Sequence, residues 1–217
     1  MLEVKVCGLT DAAAVEAAAA GGARWLGFVF YPPSPRALSP AEVAPLAALA
    51  PAGCRTVGVL VDPDDAQLEA LLDAVALDAL QLHGAQTPER VAAIKAATGC
   101  LVIKALSVAE PQDLAPVAAY AEVADRLLFD ARPPRDPDAL PGGNGLSFDW
   151  RLLQGLEVTR PWLLAGGLNA ANLESAVRLC GARAVDVSSC VEQRPGHKDP
   201  VRIKEFLALA TTLAVPA

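Results

Sequence analysis

Two side chains that end predicted strands have the chemistry of an acid and a base. Cys7 ends the apolar run "LEVKVC" and Asp130 ends "RLLFD", so each follows a segment typical of a buried strand. A thiolate can accept a proton, and a carboxyl group in apolar surroundings keeps its proton to a higher pH than usual. The structural alternatives are a cysteine that only packs and a carboxylate that caps a helix. Cys7 and Asp130 are therefore candidates for general base and general acid.

Three other polar side chains follow predicted strands and could contact a ligand. Arg36, in "YPPSPRALS", offers a planar fork suited to a carboxylate or phosphate, although a loop arginine is usually just solvated. His83 ends "LQLHG" and is either a substrate contact or a hydrogen-bonded structural histidine. Lys104, in "LVIKAL", could form a Schiff base with a carbonyl substrate, as in an aldolase. The aldolase hypothesis is disfavoured because Lys104 has no obvious acid or base partner in its own motif.

The elements that must position these residues alternate between strands and helices. Between most of the apolar runs lie helical segments, such as "TDAAAVEAAAAGG" with a Thr/Asp cap and "SPAEVAPLAALAPAG", which is capped by Ser39 and has Pro40 at its first position. Strand then helix, repeated every 20–30 residues or so, predicts a parallel sheet. The eight apolar runs are "LEVKVCG", "RWLGFVF", "RTVGVLV", "DALQLHG", "LVIKAL", "RLLFDA", "PWLLAGG" and "AVDVSS".

Eight strand and helix units in 217 residues favour a single closed (β/α)8 barrel over an open doubly wound sheet. The first strand-to-helix turn also lacks the G-x-G-x-x-G pattern of dinucleotide-binding folds. No linker or composition shift marks a second domain, so one domain is predicted over residues 1–217. The long Pro/Gly-rich connection "ARPPRDPDALPGGNGLSFDW" after the sixth strand indicates a functional loop. In such a barrel the site lies at the carboxyl ends of the strands.

Strand alternation makes a specific prediction about Lys5. Lys5 and Cys7 share one face of the first strand, so if the intervening valines pack on the helices, Lys5 and Cys7 point into the barrel. A cation two residues away favours the thiolate form of Cys7. A buried lysine needs a counterion. Asp186, in "VDVSS", is the predicted partner, because pairing with Asp130 would hold that acid ionised.

Composition limits the classes of partner. A net charge of −7 and a pI near 4.8 argue against a nucleic-acid or anionic-membrane surface. The N-terminus has no basic segment leading into a long apolar one, which predicts a cytoplasmic protein. Five widely spaced cysteines predict free thiols, and the chain has no C-x-x-C or H-x-x-x-H pair that would indicate zinc. We expect a small-molecule ligand, no metal, and a monomer or homodimer.

Several of these motifs together resemble one enzyme family. They are "KVCGLT", "FYPPSPR", "LQLHG", "LLFDA", "GGNGLSFDW", "AGGLNAANL", "VDVSSCVE" and "RPGHKD", and they span nearly the whole chain. The combination resembles the N-(5′-phosphoribosyl)anthranilate isomerases of tryptophan biosynthesis. The resemblance implies a (β/α)8 barrel that carries out an Amadori rearrangement without metal or organic cofactor. The substrate implied is the phosphosugar N-(5-phospho-β-D-ribosyl)anthranilate, in the third step from chorismate.

The resemblance also implies roles for individual residues. Cys7 would be the general base and Asp130 the general acid, while Arg36 would face the anthranilate carboxylate. His83 is a candidate substrate contact from its place at the end of a strand alone. The loops after the seventh and eighth strands of barrels often hold phosphate through backbone N–H groups. The residues expected near the phosphate are Gly143, Gly145, Gly166, Gly167, Ser189 and Cys190.

The chain departs from the family pattern at two positions. Asn144 stands where the family usually has threonine, and Cys190 stands where it usually has glycine. Because a cysteine at positive φ would be strained by about 1–2 kcal/mol, an ordinary negative φ is predicted for Cys190, with its thiol turned toward the protein. A sister isomerase of histidine biosynthesis would carry aspartate in place of Cys7, so the anthranilate substrate is favoured. An inactive phosphosugar-binding barrel is a further alternative, because fold alone does not prove turnover.

Overall fold

Eight parallel strands close into a barrel in the order in which they occur along the chain, with β8 pairing back onto β1. The computed structural model describes residues 1–134, 140 and 142–214. Parts of the loop after the sixth strand, residues 135–139 and 141, lie outside the described residues. The strands are β1 Glu3–Cys7, β2 Trp25–Val29, β3 Arg55–Val61, β4 Ala79–His83, β5 Leu101–Val108, β6 Arg126–Ala131, β7 Trp162–Leu164 and β8 Ala184–Val187. The prediction of a (β/α)8 barrel is confirmed.

Helices cover the outside of this barrel and begin where the sequence places their caps. Asp11 caps the first helix by accepting from the N–H of Ala14, and Ser39 forms a capping box with Glu42 ahead of Pro40. The helices are α1 Ala12–Ala20, α2 Pro40–Ala47, α3 Asp65–Ala74, α4 Pro88–Thr98, α5 Val117–Val123, α6 Leu173–Cys180 and α7 Pro200–Thr212.

Two connections depart from simple strand and helix alternation. Within the described residues, the β6–β7 connection contains only a short 3₁₀ turn, Trp150–Leu153. After β8 the chain makes a 3₁₀ turn, Ser189–Val191, and then a hairpin of β9, Glu192–Arg194, and β10, His197–Lys198, before α7 begins. Both departures come at the carboxyl ends of strands, where barrels build their sites.

Alternation along each strand divides the side chains between two cores. Val4 and Val6 belong to the large outer core between barrel and helices, whereas Lys5 and Cys7 face the barrel interior. This confirms the predicted orientation of β1. The lower part of the barrel interior is filled by a compact apolar layer made of Trp25, Val57, Ala79, Ile103, Ala105, Leu128, Leu163, Ala165 and Ala184. Cys7 and His83 end their strands and therefore lie on the carboxyl side of this layer.

Candidate active site

The carboxyl ends of the strands surround a cavity that opens to solvent. Cys7 from β1, Arg36 from the loop after β2, His83 at the end of β4 and Asp130 on β6 all line it. The structure thus brings the four predicted catalytic and substrate-contacting residues to one cavity. Of the six residues expected near a phosphate, the cavity is lined by Gly143, Gly145, Gly166, Gly167 and Ser189.

Lys5 lies below Cys7 and pairs with Asp186, as predicted. Its Nζ donates to Asp186 Oδ1 at 2.9 Å, and the two side chains are 0% and 10% exposed. Burial alone would lower the pKa of Lys5, but the charges of Asp186 and Cys7 outweigh burial and raise it. A Cβ at Gly27 would lie only 3.1 Å from Lys5 Nζ and 3.2 Å from Cys7 Sγ. The missing side chain of Gly27 leaves room for the ammonium group beside the thiol.

The Cys7 thiol is 7% exposed, and burial is the largest influence on its titration. Burial raises its pKa, Lys5 and Lys198 act in the opposite direction, and the charge of Asp186 raises it further, so the net shift is upward. The expectation that Lys5 favours the thiolate is right in direction but too small to prevail. The reason is that Asp186 shares the charge of Lys5. Without substrate, therefore, the thiol form of Cys7 is favoured.

Asp130 has the properties of a proton donor at neutral pH. Burial, and then the nearby charge of Asp186, raise its pKa to about 7, although the N–H of Ala131 donates to its Oδ1 at 2.9 Å. The loop after β6 passes close above the carboxyl group, because a Cβ at Gly142 would lie 2.8 Å from Asp130 Oδ2 and 2.9 Å from His83 Cε1. The described residues therefore show a carboxyl group that is partly shielded from solvent at the cavity wall.

The guanidinium of Arg36 is not a free fork. Its Nε and Nη2 donate to the two carboxylate oxygens of Glu192 at 2.7 and 2.9 Å, and both side chains are buried. The sequence led us to expect this fork to face the ligand. Instead only Nη1 extends beyond the pair, beside Gly143, where a Cβ would approach to 2.8 Å. Glu192 was missed in the sequence, although it stands in the motif "SSCVE".

His83 lies beside Gln81, a cavity residue that the sequence did not single out. The Nε2 of Gln81 donates to Nε2 of His83 at 2.7 Å, because an amide nitrogen can only donate, and this bond requires the ring tautomer with Nε2 unprotonated. Gln81 is 1% exposed, and its Oε1 has no partner among the described residues. Alternation along "LQLH" places Gln81 and His83 on the same face, a signal that would have found it.

Lys104 faces away from this cavity. Its neighbours in β5, Ile103 and Ala105, fill the barrel interior, so Lys104 points to the outer side of the strand. Its Nζ donates to Gly84 O and Gln86 Oε1, each at 2.8 Å, and burial lowers its pKa to about 8. Lys104 therefore holds the loop after β4, and the structure does not favour the Schiff-base aldolase hypothesis.

The loops expected to hold phosphate come together at the wall of the cavity. Gly166 and Gly167 have φ of 87° and 63°, and a Cβ at Gly167 would lie 2.9 Å from the backbone carbon of Leu146. The loop after β7 thus packs backbone against backbone on the loop after β6, a close approach that only glycine permits here. Asn144, one of the two departures, donates from Nδ2 to the Leu140 carbonyl at 2.7 Å.

Cys190, the other departure, sits in the 3₁₀ turn after β8 and is not among the described cavity residues. Asp62 is the only non-glycine residue with positive φ in the described part of the chain, so the predicted backbone conformation of Cys190 is confirmed. Its side chain packs on the outer core, and burial raises the pKa of its thiol to about 11. A contact between its N–H and a phosphate stays a prediction.

The described residues hold no group of three or more His, Cys, Asp or Glu side chains placed to bind a metal ion. Within the same part of the chain, no helix combines the length and apolar character needed to cross a membrane. All five cysteines have free thiols.

The chain is similar to proteins of one family over nearly its whole length. A family model described as N-(5′-phosphoribosyl)anthranilate (PRA) isomerase matches residues 4–208. The N-(5′-phosphoribosyl)anthranilate isomerases of Paracoccus denitrificans and Rhodospirillum centenum are each 57% identical, over 97% and 98% of this chain and 97% and 99% of their own lengths.

Solved structures give the same result. The phosphoribosylanthranilate isomerase of Thermotoga maritima has a TM-score of 0.87 at 36% identity, covering 98% of this chain and 100% of that one. A phosphoribosylanthranilate isomerase in complex with reduced 1-(o-carboxyphenylamino)-1-deoxyribulose 5-phosphate has a TM-score of 0.84 at 34% identity, with the same coverage. This chain belongs to the N-(5′-phosphoribosyl)anthranilate isomerase family.

Proposed function

We propose that the chain isomerises N-(5-phospho-β-D-ribosyl)anthranilate to 1-(2-carboxyphenylamino)-1-deoxy-D-ribulose 5-phosphate, the third step of tryptophan biosynthesis from chorismate. One observation carries the assignment of roles: a thiol and a carboxyl group with a pKa of about 7 line the same cavity from different strands. The reaction moves protons within one substrate, so an acid and a base held against that substrate are sufficient.

Asp130 starts the reaction as general acid. Its carboxyl proton passes to the ring oxygen of the furanose, the bond between that oxygen and C1′ breaks, and the amine nitrogen lone pair forms a C1′=N⁺ bond. The products of this step are a hydroxyl group on the sugar, an iminium ion and the Asp130 carboxylate. A pKa of about 7 suits this transfer, because the proton is held at neutral pH and is still readily donated.

Cys7 completes the reaction as general base. The thiolate takes the proton from C2′, and the C–H electron pair forms the C1′=C2′ double bond while the iminium nitrogen becomes a neutral amine. The resulting enolamine gains a proton at C1′ and loses one from the C2′ hydroxyl, which gives the ketone. The positive iminium beside Cys7 favours the thiolate at the moment when it is needed, and so does Lys5 below it.

Arg36 is proposed to contact the anthranilate carboxylate through Nη1. The phosphate is proposed to lie against the loops of Gly143, Gly145, Gly166, Gly167 and Ser189, where several backbones converge. His83 is proposed as a further substrate contact. Cys190 contributes at most its N–H to this end of the cavity.

The activity is tested by the loss of fluorescence of phosphoribosylanthranilate when purified protein is added. Turnover is the expected result, and a protein that binds this substrate without consuming it would instead be an inactive phosphosugar-binding barrel. Addition of a chelator should leave the rate unchanged, because the proposed steps use side chains alone. A rate that disappears with the chelator would contradict the mechanism.

We further propose that residues 1–217 act as one catalytic domain in the cytoplasm, where free thiols are stable. One solved relative, from Thermotoga maritima, is described as a dimeric enzyme from which monomers were generated. For this chain a monomer or a homodimer stays the prediction, and light scattering of the purified protein would distinguish them.

A further inference from the structure

The hairpin of β9 and β10 lies against the loop that carries Arg36. A Cβ at Gly196, in the turn of the hairpin, would clash with the carbonyl oxygen of Pro35. The hydroxyl of Thr10 donates to the Gly196 carbonyl at 2.9 Å. The motif "RPGHKD" therefore forms a hairpin docked on the mouth of the barrel, and the close approach requires its glycine.

Two buried charged residues of this hairpin are linked to Arg36, one directly and one through the other. Glu192 accepts from the Nε and Nη2 of Arg36, and Lys198 Nζ donates to Glu192 Oε1 at 2.7 Å. Arg36, Glu192 and Lys198 are 5%, 5% and 4% exposed, so solvent and salt screen their charges only weakly. We refer to these three residues as the mouth triad.

The charges of the mouth triad do not cancel. Burial acts to raise the pKa of Glu192, but Arg36 and Lys198 outweigh it, so the net pKa is lowered and Glu192 is ionised. Two cations and one anion leave a net charge of +1. Burial lowers the pKa of Lys198 from its ordinary value although the charge of Glu192 acts against it, and the three oxygen atoms around its Nζ match the three protons of an ammonium group. Glu192 neutralises Arg36 through a bidentate pair, so the charge that remains is in effect that of Lys198.

Lys198 reaches the cavity wall without lining it. Its Nζ donates to Ser188 O at 3.0 Å and lies 3.1 Å from Ser188 Oγ, and Ser188 lines the cavity. At separations of several ångströms in a partly buried site, one unit charge changes the affinity for an anion by roughly tenfold or more. Lys198 can therefore attract an anion in the cavity through space.

We propose that Lys198 determines specificity: the net charge of the mouth triad, and not Arg36 alone, sets the preference for an arylamine that bears a carboxylate. The inference rests on the proposed function, which places that carboxylate at Arg36. Arg36 supplies the contact through Nη1. Lys198 supplies the charge that Glu192 removes from Arg36, and it does so without touching the substrate.

Calorimetry with two probes tests this inference. One probe is reduced 1-(o-carboxyphenylamino)-1-deoxyribulose 5-phosphate, and the other is the same compound without its carboxylate. The ratio of the two Kd values isolates recognition of the carboxylate, because effects on the phosphate end or on folding change both Kd values alike. Both probes are bound without being converted, so the measurement does not depend on catalysis by Cys7 or Asp130.

Three variants give the mouth triad different charges. Lys198→Met lowers the charge to zero and should reduce the preference for the carboxylated probe about tenfold. Glu192→Gln raises the charge to +2 and should increase the preference about tenfold. The double variant returns the charge to +1 and should lie within about threefold of the unchanged protein. Lys204→Met and Glu205→Gln, exposed on α7, are matched controls that should leave the ratio unchanged.

A purely structural role for the hairpin gives a different pattern, because each single variant would then weaken both probes. The inference is overturned if Lys198→Met leaves the ratio unchanged, or if Glu192→Gln lowers it as far as Lys198→Met does. If Lys198→Met does not fold, Glu192→Gln and the double variant decide, and a ratio equal in both overturns it. A protein that prefers the carboxylated probe but does not isomerise phosphoribosylanthranilate contradicts the proposed function alone.

Discussion

Strand β1 directs two charged residues, Glu3 and Lys5, to the barrel side of the sheet, and their surroundings differ. At the amino end, Glu3 accepts from Arg126 Nη1 and from Trp25 Nε1, each at 3.2 Å, and the two charged side chains are 39% and 20% exposed. Nearer the carboxyl end, Lys5 pairs with Asp186 where the exposed fractions are 0% and 10%. The same strand thus presents a solvated ion pair and a buried one.

The difference explains why chemistry belongs to one end only. At the amino end, Arg55 and Arg126 stack on Trp25 with their Cζ atoms 5.1 and 4.8 Å from the ring centroid. Solvent screens those charges, so their contribution to stability is modest. At the mouth, burial raises the pKa of both Cys7 and Asp130. Asp130 can therefore exchange a proton with a substrate near neutral pH, whereas the thiolate of Cys7 depends on Lys5 and on the positive iminium of the substrate.

The largest expected effect is on turnover. Cys7→Ala and Asp130→Asn should each lower kcat by roughly 10²-fold or more with little effect on affinity for the substrate, because each removes a proton-transfer group. Glu3→Gln, at the opposite end of the barrel, is the control and should keep kcat. Steady-state fluorescence kinetics measures all three. Near-normal kcat in either mouth variant would remove that residue from the mechanism.

The next largest effect is on the free energy of unfolding, which should fall more when the buried ion pair is broken than when the solvated one is. Lys5→Met leaves Asp186 as a buried charge without its partner and should lower the free energy of unfolding by about 3–5 kcal/mol. Arg126→Met, at the solvated pair, should lower it by only about 1 kcal/mol. Urea unfolding compares them. Equal losses would show that burial does not distinguish the two ends.

The candidate site was predicted from sequence only where local pattern decides it. Cys7 and Asp130 could be found because both end strands, and parallel strands in a barrel deliver their ends to one mouth. The Lys5 partner followed from alternation and from the need of a buried cation for a counterion.

Features set by long-range packing were not predicted. Glu192 lies 156 positions from Arg36, and only the docked hairpin joins them, so the occupied fork of Arg36 could not be foreseen. The raised pKa of Cys7 depends on how completely the whole mouth is desolvated, which no single motif encodes. The apolar periodicity, by contrast, was sufficient for the barrel itself.

A smaller effect concerns stability as a function of pH. The carboxyl group of Asp130 has a pKa of about 7 in the folded protein, above its unfolded value, so its contribution is fully present at low pH and is lost as pH rises through about 7. Between pH 5 and pH 8, Asp130→Asn should therefore gain roughly 2–3 kcal/mol in unfolding free energy relative to the unchanged protein. Urea unfolding at both pH values is the test. A constant difference would contradict the raised pKa.

The smallest expected effect is at Cys190. Its φ is not positive and its thiol packs on the outer core, so Cys190→Gly should change KM by less than about tenfold, roughly 1.4 kcal/mol of binding. Alkylation of Cys7 should abolish activity, and bound substrate should protect against it, whereas alkylation of Cys190 should leave activity in place. A much larger gain in affinity from the glycine variant would place the thiol in the phosphate position.

The pH dependence of kcat/KM tests most directly the claim that burial at the mouth sets the proton chemistry. The active form needs Asp130 protonated and Cys7 ionised, although Asp130 is the stronger acid, so this form is a constant minority between the two pKa values. The profile should rise to a plateau with an apparent pKa near 7 that belongs to Asp130, and fall at high pH as the thiol of Cys7 finishes titrating. Asp186→Asn should move the limb near 7 to lower pH by removing a charge that raises the pKa of Asp130, whereas a limb due to the substrate phosphate would not move. A limb that stays in place in Asp186→Asn, or a profile without a limb near 7, would contradict the account.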